Sequence, residues 1–190
     1  MKHQPHVTFT AQALAFRALM NMYDIFKSKE TDDPFDYLPL IVFSAFSIEA
    51  YINSVGSRKI SFWDELERLP WRSKVEILHS NLRKKADWGK DPLQFASHVF
   101  GIRDRIAHGK PETISGPICD DYQTAISMAY VQHIKPSIFD KLDRDWILDS
   151  AERLYSLLEY IGALYGLHED DFASFSEAVM QRHGNPTDDG

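Results

Sequence analysis

The segment Arg103-Asp104-Arg105-Ile106-Ala107-His108 places a guanidinium, a carboxylate and an imidazole within about two turns of helix. An imidazole titrates near ~6.5, so it can carry a proton to or from a hydroxyl at neutral pH. A guanidinium can stabilise the charge that builds on a phosphoryl group. Together these groups could cleave RNA without a metal. His108 would move a proton to or from the 2′-hydroxyl or the leaving oxygen, and Arg103 would steady the phosphate. Asp104 and His108 stand four apart and can touch, so the carboxylate would orient the imidazole and favour its protonated form. Arg103 lies five residues before His108, about 140° around an ideal helix, so the two cannot stack directly. Either the long arginine reaches around, or His108 leaves helical geometry near Gly109. One imidazole manages one proton transfer at a time. A two-fold dimer would bring a second His108 to the same groove and supply both base and acid.

Other chemistries are not encoded. The chain has no Gly-x-Gly-x-x-Gly or Gly-x-x-x-x-Gly-Lys phosphate loop and no Gly-x-Ser-x-Gly elbow. The eight histidines form no His-Glu-x-x-His pair, and the Glu-x-x-His repeat of di-iron bundles is missing, so no metal site and no cofactor are expected. Arg-x-x-x-x-His spacing alone is a weak signal, and a looser rule also admits Arg72 and His79. The plain alternative is a surface arginine and a helix-terminal histidine serving the last carbonyls. Arg105 and Lys110 are further candidates for substrate contact. Glu49, inside an apolar helix, either bonds a neighbouring helix or faces the same groove. Ser47 is read as bonding its own helix backbone, and His79 and His98 as solvated or packing residues. The four tryptophans, Trp63, Trp71, Trp88 and Trp146, are read as core unless exposed enough to stack on bases. Arg83-Lys84-Lys85 is either a solvated helix end or a phosphate contact.

The elements that must position these groups are helical. Thr8 or Thr10 caps a helix to about Lys27, and Glu30 to Pro34 breaks it. Asp36 and Pro39 open a largely apolar helix to about Val55, closed by Gly56. Ser61 caps a short helix with Trp63 and Leu66, and Pro70 starts another to about Arg83. Asp91, Pro92 and Gly109 bound the helix that carries the motif. Its Phe95, Val99, Ile102 and Ile106 form one seam, while Leu93, Phe100 and Ala107 lie roughly opposite. A second subunit is expected to cover that opposite side. Residues 110–118 form a loop, and a helix covers Tyr122 to about Ile134. A long helix runs from about Asp145 to Leu167, followed by a short one with Phe172, Phe175 and Val179. These spacings predict an all-α, antiparallel up-and-down helical bundle with extra short helices over residues 1–184, and a disordered tail over 185–190.

With Asp104 directly after the arginine and an Ala-His-Gly ending, Arg103 to His108 resembles the signature of the HEPN superfamily, an arginine followed by a polar residue and then a histidine after four to six residues. Phe46-Ser-Ile-Glu-Ala-Tyr-Ile-Asn53 looks like the Glu-bearing helix of several HEPN branches. The resemblance covers roughly residues 37–110 by motif and the final long helix by architecture. It implies a helical-bundle homodimer with metal-independent endoribonuclease activity at Arg103 and His108, supported by Asp104. Such proteins often act in toxin–antitoxin or defence systems beside an antitoxin protein partner, and other members are inactive binding modules.

Composition sets bounds on this reading. In 190 residues, 44% hydrophobic and 13% aromatic content excludes disorder as the dominant state. The single cysteine, Cys119, excludes an internal disulfide framework. The apolar run Leu38 to Ile48 is short for a bilayer, and no secretory signal is visible behind Met1, so a cytoplasmic protein without a membrane partner is expected. The net charge of −7 argues against a nonspecific nucleic-acid coat. Its distribution is uneven, −2 over residues 1–56, +5 over 57–110 and −10 over 111–190. The middle third therefore either presents a basic surface or carries ordinary solvated helix faces.

Overall fold

The structure, a computed structural model, describes residues 2–7, 10–30, 33–130, 136–140, 142–173 and 178–183, the first and last stretches by backbone alone. Its helices among these residues are α1 (Ala11–Ser28), α2 (Tyr37–Lys59), α3 (Trp63–Leu66), α4 (Trp71–Asn81), α5 (Leu93–His108), α6 (Tyr122–Tyr130) and α7 (Arg144–Ala163). They pack as the expected all-α bundle. Central α2 touches α1, α4, α5 and α7 and buries Leu40, Ile41, Ile48, Ile52 and Val55. With its leading turn, this helix spans Pro34–Lys59 and is long and apolar enough to cross a membrane by length and composition, although half of its most apolar window is buried within the bundle.

Gly56 does not close α2. The helix continues through it because Gly56 is the notch against which the Trp63 indole lies. A Cβ at that position would sit 2.1 Å from the ring, a separation no side chain tolerates without the ring moving.

Polar groups inside the bundle are mostly paired, as burial demands. The Tyr23 hydroxyl and Ser150 Oγ lie 2.6 Å apart. His79 is buried rather than solvated, with Nδ1 2.8 Å from the Val75 carbonyl and Nε2 2.6 Å from the Tyr160 hydroxyl. Ser44 donates to the Leu40 carbonyl at 2.8 Å. The backbone bond expected of Ser47 is not made, and its buried hydroxyl has no partner. The Arg58 fork holds both oxygens of Asp171 while Tyr51 donates to the same carboxylate, tying α2 to the turn beyond α7. Hydrogen bonding from Arg58 holds the Asp171 carboxyl below its ordinary range, and burial pushes the Tyr51 phenol up.

The chain ends differ from the sequence expectation. Phe172 lies in a 3-10 turn, Asp171–Ala173, and is buried against Phe16, Tyr51 and Tyr155. Phe175 falls outside the described residues. Val179 belongs to a strand, β2 (Ala178–His183), paired antiparallel with β1 (Lys2–Val7) so that Lys2 faces His183 and Val7 faces Ala178. A two-stranded ribbon thus joins opposite ends of the chain in place of the predicted final helix. The 185–190 tail and the expected end of α6 at residues 131–134 lie outside the described residues.

Glycines at two helical positions should respond oppositely to one added methyl group. Alanine is favoured over glycine in a helix interior by ~0.5–1 kcal/mol. At Gly101 an added Cβ meets nothing within 4 Å, so Gly101→Ala should stabilise by about that amount. At Gly56 the collision with Trp63 should outweigh the gain, leaving a net loss of roughly 1–2 kcal/mol. Urea denaturation of both variants checks this, and stabilisation by both would contradict the notch.

Candidate functional site

α5 is anchored at its start. Asp91 Oδ1 accepts from the Phe95 N–H at 3.2 Å, and Arg153 of α7 reaches both Asp91 oxygens at 3.0 Å. Leu93, Phe95, Ala96, Val99 and Phe100 are then buried. Phe95 packs near Trp146 of α7, while Phe100 lies flat against Trp71 of α4, with ring centroids 4.1 Å apart and planes 8° from parallel. The side on which Phe100 was expected to meet a second subunit is therefore covered by the chain's own Trp71. Ala107, on that same side, is exposed.

Past Phe100 the helix leaves the bundle. Ile102 is only partly buried, Ile106 is 37% exposed, and every residue from Asp104 to Lys110 is exposed. The seam predicted through Phe95, Val99, Ile102 and Ile106 holds for its first half only. Gly109 ends the helix as expected. The chain turns so tightly there that a Cβ would lie 2.3 Å from the Arg105 carbonyl oxygen. Residues 110–118 are loop, and α6 beyond it is largely exposed, with Tyr122, Ala125 and Ala129 all in solvent.

The motif side chains part company along this projecting stem. The Arg103 guanidinium sits 5.1 Å from the Phe100 ring centroid, with Nη1 3.2 Å from Asp104 Oδ1 and a buried Nε without a partner. Asp104 therefore pairs with Arg103 and makes no hydrogen bond to His108. Among the described residues His108 has no hydrogen-bond or ion-pair partner. Arg105 turns the other way. Its Nη2 donates to Ser137 Oγ at 2.6 Å, and Ser137 N–H donates to Glu112 at 3.1 Å. Hydrogen bonds from Ser137, with the Arg105 charge nearby, hold the Glu112 carboxyl below its ordinary range. Lys110 and Arg105 line a recess of about 900 Å³ between the end of α5, the following loop and α6.

Glu49 is not brought to this stem. Its Oε1 lies 3.3 Å from Nζ of the fully buried Lys74, and it lines a separate cleft of about 480 Å³ with residues of α1, α2 and α3. Of the tryptophans, Trp63 is core, while Trp146 is half-buried, with no hydrogen-bond partner for its indole N–H among the described residues. The Arg105–Ser137–Glu112 chain was not anticipated. Its one sequence trace is that Arg105, three residues before His108, shares the histidine's helix face. Among the described residues no cluster of three His, Cys, Asp or Glu side chains is grouped to hold a metal ion.

The chain matches no family model, no curated protein and no solved structure. The fold and the projecting stem thus define a helical-bundle protein with an exposed basic helix end.

A buried cation whose partner is removed is left uncompensated. Glu49→Gln should therefore cost about 1–3 kcal/mol, discounted because Glu49 is itself 35% exposed. Lys74→Met, which removes the buried charge, should cost less. Thermal unfolding of the two variants would contradict the pairing if Lys74→Met proved the more damaging.

Proposed function

We propose that the protein is a metal-independent endoribonuclease of HEPN type, a toxin or defence component, acting as a homodimer across the exposed half of α5. The observation that carries the reading is the state of His108. It is exposed and, among the described residues, has no partner and lies on a helix end that none of them covers, where a ribose-phosphate strand can approach. The 2′-oxygen attacks phosphorus as its proton passes to one His108. The bond to the 5′-oxygen breaks, and that oxygen receives a proton from the second copy, leaving a cyclic phosphate. Arginine stabilises the phosphate charge during the exchange. The exposure of α6 and of the stem fits a surface that a second subunit completes, and a cytoplasmic setting with an antitoxin partner accompanies this reading.

One observation favours a second reading, a catalytically inactive helical module that binds a protein or nucleotide through the same stem. Asp104 is committed to Arg103 and leaves the imidazole unoriented.

Cleavage of structured and unstructured RNA in excess EDTA separates the two. The nuclease reading expects cyclic-phosphate products and a loss of about 10²-fold or more in rate for His108→Ala. DNA should resist. Activity that survives both His108→Ala and Arg103→Ala would overturn the assignment, and binding without cleavage would support the inactive module.

A further inference from the structure

Ser97, Gly101, Arg105 and His108 fall within about 80° of one another around α5, whereas Arg103 points about 140° away from His108. The cation on the histidine's face is therefore Arg105. It stands on a ridge, because it lines both the 900 Å³ recess beside Lys110 and a second cleft of about 580 Å³ between α5 and the start of α7. That second cleft is shaped by what α5 omits. Gly101 lines it with nothing within 4 Å of a would-be Cβ, so the space above it is open.

Trp146 walls the cleft on the α7 side, and His98 and Asp140 reach its rim, both exposed. An indole face binds a flat ring by stacking, a carboxylate accepts from the amino and imino N–H groups of a base edge, and a guanidinium grips phosphate. One ligand class presents all three complements, a nucleotide. Arg105 is also pre-set for its part, because Ser137 takes one of its nitrogens and its fork makes no other hydrogen bond among the described residues.

Resting on the nuclease reading above, we infer that Arg105, rather than Arg103, holds the RNA phosphate beside His108, and that the cleft over Gly101 seats the adjoining base against Trp146. The strand crosses the Arg105 ridge from this cleft towards the recess at Lys110. Asp140 makes guanine, cytosine and adenine, which offer amino donors, better occupants than uracil.

The test uses the whole chain and a short RNA oligonucleotide blocked by 2′-deoxy substitution, with GMP, CMP and UMP as separate probes, read by tryptophan fluorescence quenching and by anisotropy of labelled oligonucleotide. Gly101→Met fills the cleft without touching a charged group and replaces glycine with a better helix former, so the fold is retained. Wild type should bind the oligonucleotide. Gly101→Met and Arg105→Ala should each weaken it about tenfold or more, the scale of one lost charge-assisted contact. Arg103→Ala should change it less than about threefold, and Trp146→Phe should abolish most of the quenching. Binding by the oligonucleotide but not by the mononucleotides locates the ligand in a strand; binding by the mononucleotides alone would contradict the strand path. Failure of the two readings is distinguishable. Cleft-dependent binding without any cleavage retains this inference and removes the nuclease. His108-dependent cleavage with binding indifferent to Gly101→Met and Arg105→Ala does the reverse. No binding by wild type to any of the probes would overturn the inference.

Discussion

The flat stack of Trp71 on Phe100 decides where α5 stops being a core helix. Up to that pair, both sides of α5 are covered, by α7 at Phe95 and by α4 at Phe100. Beyond it only Ile102 is partly buried, and Asp104 to Lys110 are exposed. A helix end of this length would fray alone in water, since short helices owe their stability to packing. Here it is held by the buried turns behind it and, on one side, by Arg105 reaching Ser137. The result is a projecting stem that carries Arg103, Arg105 and His108 beyond the bundle on different sides of one helix.

Those directions matter more than the spacing of residues along the sequence. Arg103 is drawn back over Phe100 by the face of its own ring partner and neutralised by Asp104. Arg105 and His108 share the opposite face and border open clefts. The stem is thus two-faced, with the Arg103–Asp104 ion pair on one side and Arg105 and His108 on the other. The pair of buried Lys74 with part-exposed Glu49 belongs to neither face, and links α4 to α2.

Much of the architecture was legible in the sequence, because three-four apolar spacing and caps such as Asp91 act locally. The bundle and α5 with its Gly109 stop follow from such signals. What was not legible depends on partners distant in the chain. Gly56 reads as a helix stop unless Trp63 is known to press on it. Phe100 reads as an interface residue unless Trp71 is known to cover it. The β1–β2 ribbon joins segments at opposite ends of the sequence, each of six residues and too short to show an alternation of its own. The Asp104–His108 contact allowed by four-residue spacing is lost because a nearer cation competes for the carboxylate.

The central claim is that the uncovered half of α5, through His108, is where RNA meets the protein. Histidine-selective carbon–proton NMR spectra, recorded as blocked oligonucleotide is added, address it directly. The account predicts that the His108 signals move with saturation while those of His79, locked between the Val75 carbonyl and the Tyr160 hydroxyl, stay fixed. A complex that forms while His108 remains unshifted would contradict it.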